Sequence, residues 1–165
     1  MFRTIDDFVR CWERESASTL KVLRALDAAS LGQSVAPGGR TLGVLAWHVV
    51  LALPETLRRA GIEVPGPGRG DPAPAAAEMV RLYEAGARAI ATEVPRLWTD
   101  EMLTGLVPMY GEPWPRGLAL FSLVLHQAHH RGQMTVLMRQ AGLKVPGVVG
   151  PAREEWAAMK LPAQP

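Results

Sequence analysis

Apolar residues recur along this chain at helical rather than strand spacing. Between Ile5 and Leu26, the residues Phe8, Cys11, Trp12, Leu20, Leu23 and Leu26 share that rhythm, which predicts a first helix. "SLGQSVAPGGR" breaks the pattern. A second block follows from Leu42 to Ala60, with Thr41 placed to cap it. Pro54 lies inside this block and, lacking an N–H, is expected to kink it by freeing a carbonyl one turn back. The third block spans Ala73–Leu97, with Asp71 as cap and Pro72 at the helix start. The fourth spans Arg116–Gln140 and stops at Gly142. A last amphipathic piece, "AREEWAAMK", predicts a small helix that seals one end of the assembly through Trp156.

Two of the connections are long. "GIEVPGPGRGDPAP" is too extended for a tight helix–helix turn and can carry the chain along the length of a bundle. "WTDEMLTGLVPMYGEPWPRG" forms a second, aromatic-rich connection over residues 98–116. The pattern therefore predicts an all-α fold. It is a four-helix bundle forming a single domain over residues 1–165, with a long crossover after helix two and a short C-terminal helix. With two long connections, the topology is free to depart from simple up-down-up-down.

Composition narrows the picture. Of the 165 residues, 48% are hydrophobic, enough for one sizeable core. The net charge is only +2, and the arginines are dispersed among acids rather than gathered in a stripe, so no nucleic-acid partner is expected. "LALFSLVLHQAHH", the most apolar run, falls short of the roughly 20 residues of a membrane span, and the N-terminus has no signal-like apolar segment. A single cysteine, Cys11, excludes an intrachain disulfide; its helical setting reads as a half-buried thiol rather than a nucleophile. Together these features lead us to expect a cytoplasmic protein outside the membrane.

Candidate chemistry concentrates in "HQAHHRGQ", which holds His126, His129 and His130. On a helical wheel with His126 at zero, His130 falls at about +40° and Gln133 at about −20°, while Gln127, Arg131, Thr135 and Arg139 fall towards the other side. This wheel aims His126 and His130 into the core, puts His129 on the shoulder and turns Arg131 outward. Two imidazoles at i and i+4 can share one metal ion. His48, flanked on its own wheel by Val44, Leu51 and Ala52, is the remaining histidine that can complete a three-histidine site. The alternative is a set of hydrogen-bonded core histidines without an ion, since buried imidazoles need partners in either case. Gln133 is placed to fix the tautomer of a ligand imidazole or to cross-link helices. Glu55, two turns beyond His48, reads as a pocket acid, a support for a ligand or half of an ion pair with an arginine. Met109, Tyr110 and Trp114 are candidate walls of the site's mouth. Gly132, in mid-helix, suggests close approach of a neighbouring helix.

"HQAHHRGQMTVLMRQAGLKVPGVVGPAREEW", with "RTLGVLAWHVV" upstream, resembles the DinB/YfiT-like superfamily of metal-dependent enzymes over nearly the whole chain. The resemblance implies an up-down-down-up bundle and a divalent metal, zinc or nickel, on His48, His126 and His130. It also implies a homodimer and, in relatives with assigned activities, small-molecule isomerisation or S-transfer with mycothiol or bacillithiol. Three functions are left open: a metal-dependent transferase or hydrolase, a non-catalytic metal sensor or store, and a metal-free dimeric scaffold.

Overall fold

The protein is described from a computed structural model, which covers residues 2–160 and Pro162. Four helices build it: α1 (Ile5–Arg24), α2 (Leu42–Arg59), α3 (Ala76–Leu97) and α4 (Arg116–Gln140). Their ends carry the expected signals. Thr4 accepts from the Asp7 N–H while the Asp7 carboxylate accepts from the Thr4 N–H, a reciprocal cap on α1. Thr41 caps α2 by accepting from the Val44 N–H. Gly142, at φ 75°, follows the end of α4.

Cross-helix contacts fix the topology. Trp12 donates its indole N–H to the Ala87 carbonyl, and the Ile5 N–H donates to Asp100, so α1 and α3 run antiparallel. Phe2 meets Phe121 edge-on and Glu15 pairs with Arg131, so α1 and α4 run parallel. Gln127 reaches the Val49 carbonyl, and Leu45 faces the same cavity as Leu137, so α2 opposes α4. The bundle is thus up-down-down-up. The long segment after α2 permits the parallel step to α3 by running back along the bundle. It packs inward through Ile62 and Val64, and Trp47 holds it by donating to the Asp71 carbonyl. Gly66 lies so close to the Pro54 ring that any larger side chain would collide with it.

Several local expectations are revised. Asp71 does not cap α3, which begins at Ala76 behind Ala75; its carboxylate instead accepts from the Gly68 N–H and closes a turn in the crossover. The 98–116 connection contains a 3-10 helix at Asp100–Thr104 and a hairpin of β1 (Leu106–Met109) and β2 (Glu112–Pro115). Tyr110 and Gly111 form its two-residue turn, both at positive φ. Pro108 sits opposite Pro113, at a non-bonded pair where a missing N–H is harmless. The C-terminal helix is a single 3-10 turn, Arg153–Glu155, held by Glu155 accepting from Gly147 and Ala152; Trp156 stays half-buried. Among the described residues, no helix is long and apolar enough to cross a membrane.

The largest revision concerns α4. Its buried residues include Leu120, Leu123, Val124, Met134, Leu137 and Met138, a face centred roughly 90° from His126. Gln127 and Arg131 therefore lie inside, not outside. The Gln127 amide donates to the Val49 carbonyl of α2 at 3.2 Å and accepts from the Tyr83 hydroxyl of α3 at 3.2 Å. Arg131, 2% exposed, donates to the Glu15 carbonyl, the Thr19 hydroxyl and the Glu15 carboxylate of α1. Burial among these groups pushes the Tyr83 phenol far above its ordinary range. All four helices thus meet in one polar core network. Gly132, in contrast, faces open space, so no neighbouring helix requires it.

Two stability outcomes follow. Arg131→Ala strands the Glu15 carboxylate and empties a buried site and should cost about 3 kcal/mol in urea unfolding. Gly132→Ala removes only a helix-interior glycine and should stabilise by about 1 kcal/mol, raising Tm by roughly 2–4 °C. A neutral Arg131→Ala or a destabilising Gly132→Ala would contradict this packing.

Candidate metal centre

His126 and His130 lie on the flank of the buried face of α4, one turn apart, and His48 lies opposite on α2. Their rings gather because each is the chain neighbour of a core network residue: His126 precedes Gln127, His130 precedes Arg131, and His48 precedes Val49. His130 is buried, whereas His48 and His126 are half-buried. The cluster therefore sits at the edge of the α2–α4 interface rather than at the bundle axis, and Val44 beside His48 is exposed.

The donor atoms converge. His48 Nε2 is 3.0 Å from His126 Nε2, which is 3.2 Å from His130 Nε2. One donor atom from each of the three rings lies within 4.8 Å of the others. Around a tetrahedral ion with bonds of 2.0–2.1 Å, nitrogen ligands are separated by roughly 3.3 Å. The two short edges come close to that spacing.

Protonation suits the same use. The Gln133 carboxamide oxygen, a pure acceptor, lies 2.8 Å from His130 Nδ1, so that nitrogen carries the proton and His130 Nε2 presents its lone pair inward. The Gln133 amide nitrogen turns to His129 Nε2 at 3.1 Å. His129 is exposed, stands beside His130 and belongs to the supporting chain rather than to the converging set. His126 Nδ1 is buried without a hydrogen-bond partner among the described residues. Burial first, then the neighbouring His130, His48 and His129, pushes the His126 imidazole down to about 4. Burial, followed by His130, also lowers His48; burial lowers His130 against the opposing Gln133 bond. Three neutral imidazoles with converging lone pairs fit a divalent cation, which needs deprotonated ligands.

The other candidates fall elsewhere. Glu55 accepts from Arg59 at 3.2 Å and lies 3.9 Å from Arg69, an ion pair rather than a contact to the imidazoles. Tyr110 is exposed in the hairpin turn, with the Arg59 guanidinium 4.9 Å from its ring centre and Trp114 beside it. Arg59 stands about 16 Å along the α2 axis from His48. Met109 is fully buried and belongs to the core. Burial raises the Cys11 thiol, and its surroundings are charged α1 side chains, not the histidines.

A DinB family model matches residues 1–164. The chain belongs to the DinB family. The uncharacterized protein YrdA of Bacillus subtilis (strain 168) is 41% identical over 164 residues, which is 99% of this chain and 98% of that protein. The crystal structure of a DinB-like protein from Bacillus cereus ATCC 10987 is 44% identical and superposes with a TM-score of 0.85, covering 90% of this chain and 99% of that one. DinB membership and the clustered histidines together support metal binding by this chain.

A pH dependence follows for chelator-treated protein. The folded state holds these imidazoles below their ordinary value, so the unfolded chain takes up protons first as pH falls. The contribution of His126 is full above about pH 6.5 and is lost as the pH falls through about 4; His48 and His130, lowered in the same direction, add to the decline. Thermal unfolding of wild type and His126→Leu across pH 7 to 4 should show the steeper decline in wild type; parallel curves would contradict the assignment.

Proposed function

We propose that this protein is a divalent-metal-dependent enzyme acting on a small molecule, with zinc or nickel held by His48, His126 and His130. The observation that carries the reading is the convergence of three neutral imidazole nitrogens at the half-buried edge of the α2–α4 interface. A closed structural site would draw a fourth side chain into the set, and none of the described Cys, Asp or Glu residues joins it. Three protein ligands leave room for water or substrate, the pattern of catalytic rather than structural sites.

When bound, the ion would supply Lewis acidity and a nucleophile, hydroxide or thiolate, at neutral pH. The chain's own part is to orient and to hold protons. Gln133 keeps the proton on His130 Nδ1 and ties that ring to His129. Gln127, by binding the Val49 carbonyl, keeps the backbone beside His48 against α4. No cysteine approaches the cluster, so thiol chemistry would require a small thiol such as bacillithiol or mycothiol brought from solution.

Untagged protein should bind one zinc or nickel per chain by elemental analysis after dialysis. His126→Ala should abolish that stoichiometry, and Gln133→Ala should weaken affinity by roughly ten- to a hundred-fold. Substoichiometric metal in wild type, or full retention in His126→Ala, would reject the site. Catalysis is tested separately, by incubating loaded protein with bacillithiol or mycothiol and a panel of electrophiles and detecting conjugates by mass spectrometry. Conjugates that vanish in His126→Ala support a transferase, whereas stoichiometric metal with inert chemistry favours a sensor or store.

A further inference from the structure

Gln133 forms a wall shared with a second feature. The loop between α1 and α2 folds back over the bundle, pinned where the Leu42 N–H donates to the Gln33 carbonyl and where a turn closes from Gly39 to Ala36. It brings Val35 and Arg40 beside Leu45 of α2 and Val136 and Leu137 of α4, which line a half-open cavity of about 400 Å³. That volume lies within the range of small-molecule sites. The walls are mainly apolar, and Val35 and Val136 are 71% and 53% exposed.

Arg40, itself exposed, supplies the one formal charge at the rim of this apolar space. Arg40 makes no hydrogen bond or ion pair among the described residues. Among the arginines that line the other main cavities, Arg14 is likewise unpaired among the described residues, and the rest are held by acids. Arg59 and Arg69 share Glu55, Arg58 holds Glu63, and on α3 Arg81 and Arg88 hold Glu78 and Glu84. Gln133 lines this cavity and accepts from His130 Nδ1, which puts the cavity beside the supporting side of the histidine cluster.

We propose that this cavity binds small organic acids with an apolar body, the carboxylate on Arg40 and the hydrocarbon against Val35, Leu45 and Val136. A guanidinium fork matches a carboxylate in plane. One arginine beside apolar walls suits an anion with a hydrocarbon body better than a bare phosphate, which would leave those walls uncovered. The Gln133 wall sets the ligand beside His130, so the cavity is a substrate subsite of the proposed metal enzyme. That last role rests on the metal reading; the binding itself does not.

The test is calorimetric titration of the full chain, chelator-treated and zinc-loaded, with octanoate, octan-1-ol and acetate. Octanoate should saturate one site per chain in both forms and bind more tightly than either control. Arg40→Ala should weaken octanoate by about ten-fold and leave octan-1-ol unchanged. Val136→Glu, at an exposed position, should abolish binding of both while circular dichroism and Tm stay at wild-type values. Absence of saturable octanoate binding, or affinity unchanged in both variants, overturns the proposal. Octanoate binding retained in a protein that fails to hold zinc overturns the metal reading alone; stoichiometric zinc without octanoate binding overturns this one alone.

Discussion

The side-chain amide of Gln127 is the constraint on which the rest of this molecule depends. It is completely buried, donates to a main-chain carbonyl of α2 and accepts from the Tyr83 hydroxyl of α3. One turn on, Arg131 satisfies its guanidinium on α1. An apolar interface tolerates a slide of one helix along another, because its contacts are non-directional. A buried amide does not, since a shift of one residue would leave its N–H and C=O unpaired at about 1–3 kcal/mol each. The network therefore sets the register of α2 against α4.

The histidines inherit that register. Each stands one position from a network residue, on the flank where α2 and α4 part and solvent begins. This arrangement separates two tasks along one helix: one stripe of α4 specifies the fold with satisfied polar groups, and the adjacent stripe gathers imidazole nitrogens at the edge of the α2–α4 interface. Gln133 extends the second stripe by fixing a ring proton, and the loop carrying Arg40 closes over the same end. The DinB-like protein of Bacillus cereus shares the fold over almost its full length.

Much of this was legible in the sequence. The apolar periodicity placed α1, α2 and α4 close to their observed bounds, and the Pro/Gly run marked the crossover. The i,i+4 spacing singled out His126 and His130. What failed did so for identifiable physical reasons. A wheel of α4 centred on His126 rather than on Leu120, Leu123, Met134 and Met138 turns Gln127 and Arg131 outward; polarity alone suggests exposure, whereas both residues are buried because they find partners inside. The hairpin was hidden by Pro108, Pro113 and Pro115, which argue against a strand unless the pairing places them at non-bonded positions. Asp71 carried a good cap signal that a crossover turn used instead. The approach of His48 to α4 depends on helix register, which no local pattern encodes.

The central claim is that this register brings three imidazole nitrogens to one ion, and the zinc K-edge X-ray absorption spectrum of the loaded protein tests it directly. The account predicts three imidazole ligands at about 2.0–2.1 Å, with any remaining positions filled by oxygen donors. A first shell with one or no imidazole would contradict it.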